Sequence, residues 1–439
     1  MHRLPPMPTG LAALAPLRVG AAARLDFGGA GLHQMPEVWV DAAAPAVLRA
    51  CPQAVAVPGW PGHLQVGAYL VRPLAGASPE AELRARILPV DAFGVRPDGT
   101  VLDPLGGVEA LRARRLDLPQ LADLEADPVL LVQLFAVASE LGWAVAPEVA
   151  DALAPHAGWV LRADRDRLRE AMTRLLVSLQ PEAALTQLHR SGVLTLVLPE
   201  VVALVDFHRS SRFHHKDVWL HTLQVVSQAV PRPTVRWAAL LHDVGKVHTR
   251  SFTPDRKVHF LLHDELGELM CEGIAARLRF PPPLAQRVLR LVRLHLRANL
   301  YDVGWSDAAI RRFAAEVGED LDELLLLSRA DVTSKRPGRR RQAMYHLHAL
   351  QTRIRGVALA DAARKPMVPK GLGQAIIEGL GIRPGPEVGR LRALCEEATR
   401  AGRLPPAPTA DECLAFLRSS RDVGAIIGDS TPRARASAT

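Results

Sequence analysis

The middle of the sequence holds a dense set of side chains that bind metal ions. The segment RWAALLHDVGK (236–246) has the apolar spacing of a helix and places His242 next to Asp243. His221 lies in the amphipathic segment DVWLHTLQVV, and Asp331 lies in ELLLLSRADVTSK. Two imidazoles and two carboxylates on separate helices can hold a divalent metal and leave positions open for water. The spacing therefore predicts a metal site formed by these four residues.

Two further histidines extend this cluster. His263 lies in HFLLHDELGELM, and His295 lies in RVLRLVRLHLR. A helical wheel puts His295 on the apolar side of its segment, opposite a row of arginines. A single inward histidine is commonly a hydrogen-bonded core residue, but six ligands can also hold two metals that share a bridging hydroxide. We therefore predict a metal site from six residues: His221, His242, Asp243, His263, His295 and Asp331.

Basic residues close to the cluster are assigned supporting roles. His242 and Asp243 are predicted to be catalytic together with Lys246, which follows them by one turn and could hold a substrate phosphate. Lys246 can equally be a cation that interacts with a helix end. A basic segment after Asp331 is predicted to bind phosphates or RNA at the mouth of the site, with a solvated loop as the alternative. Its residues are Lys335, Arg336, Arg339, Arg340 and Arg341.

The periodicity of apolar residues indicates an α+β protein with a small α/β head and a mostly helical body. The first part of the chain alternates and has hairpin-turn chemistry at Pro97-Asp98-Gly99, whereas helical spacing dominates after Leu111. The predicted divisions are a head at 1–118, a helical neck at 119–200, a metal-binding helical domain at 201–345, a helical C-terminal segment at 346–430 and a disordered tail at 431–439.

Composition excludes several classes of protein. The chain has 439 residues, of which 48% are apolar and 23% charged, as in globular rather than disordered proteins. We find no apolar run long enough to span a membrane, and four scattered cysteines favour a reducing, cytoplasmic setting. Residues 201–345 hold 23 basic and 16 acidic side chains, and residues 346–439 hold 14 and 9. This excess of positive charge favours a phosphorylated or polyanionic ligand.

These motifs resemble the HD phosphohydrolase superfamily and, more closely, its HD-bearing branch of bacterial CCA-adding tRNA nucleotidyltransferases and poly(A) polymerases. ALLHDVGK (239–246) and LSRADVTSK (327–335) match the HD segment in order and spacing. VRPDGTVLDPLGGVEALRARRL (95–116) is similar to the end of the family's nucleotidyltransferase head, and GLGIRPGPEVGRLRALCEEATRAGRL (379–404) is similar to its C-terminal segment. The resemblance implies a nucleotidyltransferase-like head, an RNA-binding neck and an HD domain.

The head departs from the family pattern. The family cradles a triphosphate with a Gly-Gly-x-x-Arg-Asp loop and holds two magnesium ions with an Asp-x-Asp pair. Here the corresponding residues are Gly20-Ala21 and Glu37-Val38-Trp39, and the family's Arg-Arg-Asp step reads Ala85-Arg86-Ile87. The spacing of Asp26 and Asp41 around Glu37 does not reproduce two ligands on one strand face. We therefore expect a retained head whose nucleotide site is inactive.

The main prediction is a metal-dependent phosphohydrolase that acts on nucleotides, 2′,3′-cyclic phosphates or RNA 3′ ends. Its cofactor would be Mg²⁺, Mn²⁺, Ni²⁺, Co²⁺ or Fe, and its partner a nucleotide or an RNA 3′ end, with tRNA as a candidate and no membrane. One alternative is a divergent tRNA nucleotidyltransferase that adds C or A. Another is a non-catalytic protein that binds tRNA or other RNA. The oligomeric state is left open.

Overall fold

The computed structural model describes residues 4–27, 35–57, 62–209, 217–253, 258–334, 336–363 and 367–428. The chain forms two compact units, Met1–Arg353 and Ile354–Thr439. The first contains a sheet-based head followed by helices, and the described part of the second is helical. This confirms the predicted α+β class. In the described part of the chain, no helix combines the length and the apolar character needed to cross a bilayer.

The head is built on a mixed sheet. Its strands are β1 Leu17–Val19, β2 Glu37–Val40, β3 Val55–Ala56, β4 Leu64–Val66, β5 Tyr69–Pro73, β6 Gly94–Val95 and β7 Val101–Leu102. Within the described ranges their order is β3-β4-β5-β2-β1-β6-β7, and β2 and β5 pair in parallel while the other pairs are antiparallel. Because side chains alternate along a strand, Val38 and Val40 enter one apolar cluster and Trp39 the opposite one. Glu37 therefore shares the face of Trp39.

Helices cover the sheet and continue into the neck. They are α1 Thr9–Ala12, α2 Ala21–Arg24, α3 Ala44–Ala50, α4 Pro79–Arg84, α5 Gly107–Arg112, α6 Leu121–Ala126, α7 Leu130–Leu141, α8 Pro147–Leu153, α9 Arg165–Leu176, α10 Pro181–Arg190, α11 Val193–Val197 and α12 Pro199–Arg209. Nearly every residue of α7 is buried, and this helix packs against α9 and α10. An apolar helix of this kind is the core of the neck.

The next helices form the domain that carries the histidines. They are α13 Val218–Gln228, α14 Pro233–Leu241, α15 Lys246–Thr249, α16 His263–Arg277, α17 Pro282–Leu294, α18 Asp307–Val317, α19 Leu321–Ala330 and α20 Pro337–Ala363, with a hairpin of β8 Arg250–Phe252 and β9 Val258–Phe260 between α15 and α16. Eight of the nine residues of α14 are buried, and α14 packs against α13, α17 and α19. This central helix therefore fixes the positions of its neighbours.

The second unit has its own core. Its helices after α20 are α21 Leu372–Leu380, α22 Pro386–Arg400, α23 Ala410–Ser419 and α24 Asp422–Gly428. Leu372, Leu391 and Leu417 meet there with the buried thiols of Cys395 and Cys413. The apolar residues whose periodicity predicted helices in this segment therefore form the packing surfaces of this core.

A closed ring of buried charges joins the head to the neck. Arg24 is the last residue of the head helix α2 and is fully buried. It contacts Asp91 and lies 2.6 Å from Glu140 of α7. Arg174 of α9 lies 2.6 Å from Glu140 and 2.7 Å from Asp91. Burial alone would raise the pKa of Asp91, but Arg174 and Arg24 hold it well below its usual range. Two cations and two anions thus neutralise each other where they are largely shielded from water.

Replacing Arg24 by Met tests this ring. The change keeps much of the side-chain volume but leaves two buried carboxylates with Arg174 alone, so we expect the free energy of unfolding to fall by about 3 to 5 kcal/mol. Arg115→Ala breaks the exposed pair with Asp117 and should cost no more than about 1 kcal/mol. Urea titration followed by tryptophan fluorescence measures both. Equal, small losses would show that the ring does not stabilise the junction.

Candidate metal centre and head cleft

The six predicted ligands come together in one place, at the ends of helices. His221 lies on α13, and His263 is the first residue of α16. His242, His295 and Asp331 each follow directly after the last residue of a helix, namely α14, α17 and α19. The sequence placed these three inside helices, whereas the chain turns just after the apolar stretch and brings their side chains inward.

Within the cluster, one set of potential ligands consists of His221, His242 and Asp331. The Nε2 atoms of His221 and His242 are 3.3 Å apart, and His221 Nε2 lies 3.2 Å from Asp331 Oδ1. His242 Nε2 is 3.9 Å from the same carboxylate oxygen. These donor atoms all lie within 4.8 Å of one another, close enough to bind one ion.

A second set consists of Asp243, His263 and His295. The Nε2 atoms of the two histidines are 3.3 Å apart, and His263 Nε2 lies 3.6 Å from Asp243 Oδ1. Asp243 also approaches the first set, since its Oδ2 is 3.2 Å from His242 Nε2. Asp243 is therefore positioned between the two sets.

The other ring nitrogen of each histidine is held by a neighbouring group. Nδ1 of His242, His263 and His295 lies 2.9, 2.8 and 2.6 Å from the backbone carbonyls of Ala239, Phe260 and Val292, respectively. Nδ1 of His221 lies 3.0 Å from Thr333 Oγ1. A carbonyl only accepts hydrogen bonds, so Nδ1 of these three histidines carries the proton and donates. Their Nε2 lone pairs are left free to bind a metal, the usual arrangement behind metal-binding imidazoles.

Asp243 is the electrostatic centre of the cluster. It is fully buried, and its Oδ1 atom has no hydrogen-bond partner among the described residues. Burial alone would raise its pKa, but His242 and Lys246 hold it well below its usual range. Lys246 Nζ donates a hydrogen bond of 2.7 Å to Oδ2. An ionised, buried carboxylate with an unpaired oxygen fits a bound cation.

The two innermost histidines are held in the neutral form that binds metals. Burial and the proximity of His242 lower the pKa of His295 to about 4. Burial also lowers the pKa of His263. His242 differs, because burial is outweighed by Asp243 and Asp331, which raise its pKa. The donor set therefore fits one or two divalent ions by residue type and convergence.

A cavity of about 810 Å³ opens onto the cluster. His221 and Asp331 line it and are 15% and 19% exposed, whereas Asp243 lies deeper. Arg339 of α20, one of the residues predicted to bind phosphate, also lines this cavity. The other predicted phosphate-binding residues lie elsewhere: Arg340 and Arg341 line a neighbouring cavity, Arg336 is exposed, and Lys335 lies outside the described residues.

The head has a separate cleft of about 350 Å³, at its junction with the neck. Glu37 lies in it, and both of its oxygens accept hydrogen bonds from Arg86, at 2.7 and 2.6 Å. Trp39 Nε1 donates a further bond of 2.7 Å to Glu37, and the guanidinium carbons of Arg86 and Arg72 lie 4.9 and 5.2 Å from the centre of the Trp39 ring. Where the family has a second carboxylate, this chain has a buried indole stacked with two arginines.

The described residues of the cleft do not fit a pair of metal ions. Burial alone would raise the pKa of Glu37, but Arg86 holds it below its usual value, so the carboxylate is already neutralised. Asp26 pairs with Arg18 at 2.6 Å, and neither Asp26 nor Asp41 lines the cleft. No group of three potential metal ligands occurs among the described head residues. Two-metal phosphoryl transfer needs free carboxylates.

Sequence reasoning missed the residues that position these sites. Thr333 holds His221, and Asn299 Nδ2 lies 3.5 Å from Asp331 Oδ2, but no motif distinguished either residue. The charge ring of Arg24 and Arg174 draws its members from four separate segments, so no periodicity could reveal it. The departure at Glu37 and Trp39 was visible in the sequence. The pairing of Glu37 with Arg86 was not visible there.

Comparison with known proteins identifies the family of this chain. The profile of the HD domain matches residues 218–336, and that of the probable RNA and SrmB-binding site of polymerase A matches residues 142–204. An A-adding tRNA nucleotidyltransferase of Deinococcus radiodurans is 31% identical over 77% of this chain and 79% of its own length. A CC-adding tRNA nucleotidyltransferase of Thermus thermophilus is 32% identical over 73% and 74%. The chain therefore belongs to the HD-bearing tRNA nucleotidyltransferase family.

Among solved structures, a CCA-adding enzyme of Bacillus stearothermophilus in complex with CTP shares 19% identity with this chain. The match covers 92% of each chain and has a TM-score of 0.47.

The family resemblance inferred from the motifs is confirmed by the relatives. The main functional prediction, a phosphohydrolase, is wrong, because proteins similar over three quarters of the chain are nucleotidyltransferases. The HD motif identified a site but not the activity by which the family is known.

Gly245 allows α15 and α16 to pack closely beside the histidine cluster. A Cβ atom there would lie 2.1 Å from the carbonyl oxygen of His263 and 2.8 Å from the backbone nitrogen of Gly267. Gly245→Ala should therefore push α15 away from α16 and lower the free energy of unfolding by about 2 kcal/mol or more. Gly273→Ala, on the open side of α16, should raise it by about 0.5 to 1 kcal/mol. Thermal and urea unfolding measure both variants, and a tolerated Gly245→Ala would contradict the close approach.

Proposed function

We propose that this protein is a divergent tRNA nucleotidyltransferase that acts at the 3′ end of tRNA and adds C or A. The observation that carries the proposal is the identity of 31% and 32% to A-adding and CC-adding enzymes over most of both lengths. The proposed divisions remain a head at 1–118, a neck at 119–200, an HD domain at 201–345, a helical segment at 346–430 and a tail at 431–439.

The head cleft offers arginines rather than free carboxylates to a nucleotide. Arg72 pairs with Glu82 at 2.7 Å and Arg167 with Asp127 at 2.6 Å, and both arginine side chains are partly exposed. Partly exposed pairs of this kind are worth about 0 to 1 kcal/mol, so a triphosphate can displace the carboxylates at little cost. Arg174 and Arg86 are engaged more deeply. We therefore assign the neutralisation of the triphosphate to Arg72 and Arg167.

Incorporation of labelled CTP or ATP into tRNA that lacks its 3′-terminal CCA or A tests this function. Arg72→Ala and Arg167→Ala should each raise the KM for the nucleotide about tenfold, because each removes one charge-assisted contact worth about 1.5 kcal/mol. Arg115→Ala, an exposed arginine that does not line the cleft, is the matched control and should leave KM unchanged. No incorporation with any tRNA would contradict the proposal.

A second candidate function is tRNA binding without transfer. The pairing of Glu37 with Arg86 and the burial of Trp39 favour it, because they remove both carboxylate positions on which the family's metals depend. Retention of tRNA in a gel shift, together with no incorporation under any nucleotide and metal condition, would select this candidate over the first.

We also propose that the HD cluster binds a divalent ion, with Mg²⁺, Mn²⁺, Ni²⁺, Co²⁺ and Fe²⁺ as candidates. A bound divalent ion would supply positive charge beside the buried carboxylate of Asp243, one oxygen of which has no hydrogen-bond partner among the described residues. The ligands would be His221, His242, Asp243, His263, His295 and Asp331. Such binding stabilises the folded state, by about 2.7 kcal/mol when the free ion is at a hundred times its Kd.

Metal content and thermal unfolding test this site without reference to activity. Chelator-treated protein should gain thermal stability on addition of Mn²⁺ or Ni²⁺, and His242→Ala should lose both the bound metal and the gain. His348→Ala, an exposed histidine of α20, is the control and should behave like the wild type. Equal metal binding by His242→Ala and the wild type would contradict the assignment.

A further inference from the structure

Four arginines at the start of α20 contact no carboxylate among the described residues, unlike arginines in and after α17. Arg290 of α17 lies 2.6 Å from Asp320, and Arg297, just after this helix, lies 2.5 Å from Glu316. At α20, by contrast, no carboxylate in the described part of the chain contacts the exposed set Arg336, Arg339, Arg340 and Arg341. The described carboxylates thus neutralise arginines of one row and not those of the other.

The position of these arginines is unfavourable for the fold alone. The first turn of α20 has no acidic residue, and the N-terminus of a helix carries a partial positive charge. Each cation placed there costs stability, typically about 0.3 to 1 kcal/mol. An anionic ligand would remove this cost.

A mostly apolar groove that also carries amide and hydroxyl groups leads to two of these arginines. It lies between α10 and α13 and has a volume of about 620 Å³, and the amide and hydroxyl side chains in its lining are Thr186, Gln187, Gln224, Ser227 and Gln228. The Oε1 atom of Gln187 is buried without a hydrogen-bond partner among the described residues. Glu182 is the carboxylate that lines the described part of the groove. It lies close enough to Arg236 to influence its charge, and its Oε2 atom is buried without a hydrogen-bond partner among the described residues. We call this feature the α10–α13 groove.

Gln224 connects the groove to the arginines. It lines the α10–α13 groove and also a second cavity of about 620 Å³, whose lining includes Ser334, Arg340 and Arg341. Leu220, 60% exposed, and Leu223 give the groove an apolar wall. Amide groups that hydrogen-bond base edges, an apolar wall for base faces and arginines for phosphates are the chemistry by which proteins bind unpaired RNA.

We propose that the α10–α13 groove, with Arg340 and Arg341, binds a single RNA strand at a site separate from the head cleft. The bases lie in the groove against the glutamine amides, and the phosphates contact the two arginines. The proposal rests on the proposed function for the class of ligand, RNA, but it does not require nucleotide transfer. It assigns a role to the unpaired charge at α20 that neither the head cleft nor the metal cluster provides.

Placing a positive or a negative charge at Gln224 tests the path of the strand. Binding of a fluorescently labelled, unpaired oligoribonucleotide is measured by anisotropy across a salt series. Gln224→Lys should tighten binding and steepen the slope of log K against log salt by about 0.7, and Gln224→Glu should weaken binding. Gln224 is exposed, so neither change should disturb the fold. Equal affinities for both variants and the wild type would overturn the proposal.

Removing Arg340 and Arg341 together tests the phosphate contacts. The double alanine variant should reduce the magnitude of the salt slope by about 1.4, while its Tm stays equal to that of the wild type or rises. A purely structural role predicts a lower Tm and an unchanged slope. Arg312→Ala, an exposed arginine of α18, is the matched control and should not alter the slope.

The outcomes separate this proposal from the proposed function. Loss of RNA affinity in the double variant supports the groove even when the wild type incorporates no nucleotide. Wild-type RNA binding with no change in any groove variant overturns the groove alone. Absence of RNA binding by the wild type overturns the groove as well, and the incorporation assay then decides independently on nucleotide transfer.

Discussion

The buried carboxylate of Asp243 is the constraint on which the helical middle of the molecule depends. Taking an ionised carboxylate out of water costs several kcal/mol unless other charges and donors surround it. The chain meets this cost by ending α14, α17 and α19 around one point and by aiming Lys246 at the same group. The oxygen that stays unpaired, Oδ1, faces His263. The fold thus concentrates negative charge and neutral imidazoles where a cation can bind.

The head solves the same physical problem in the opposite way. Its buried carboxylates are already satisfied by arginines: Glu37 by Arg86, and Asp91 and Glu140 by Arg24 and Arg174. A carboxylate held by a guanidinium cannot also hold a metal ion without breaking that pair. The ring of charges stabilises the junction of head and neck, while the pairing at Glu37 changes the cleft from a metal-binding surface to an arginine-lined one. This contrast is the main physical difference between the two sites.

The sequence was a good guide to residues that act through short, ordered motifs. His242, Asp243 and the other predicted ligands converge because packed helices position them. Apolar periodicity correctly predicted these helices. Their position at helix ends was not predictable, since periodicity does not show where the last turn stops. The partners of Glu37 and Arg24 come from distant segments, and only the fold brings them together. The activity was misjudged because the HD motif is local, whereas similarity to nucleotidyltransferases extends over three quarters of the chain.

The most direct test of the central claim is to sequence the 3′ ends of tRNA after incubation with the purified protein and all four nucleoside triphosphates. If the protein is a divergent nucleotidyltransferase, truncated ends are extended by C or A and by no other base. This extension occurs only in the samples that contain the protein. Unchanged ends on tRNA that the protein demonstrably binds would contradict transfer. They would show that this member of the family uses its arginine-lined cleft and helical body to hold RNA rather than to extend it.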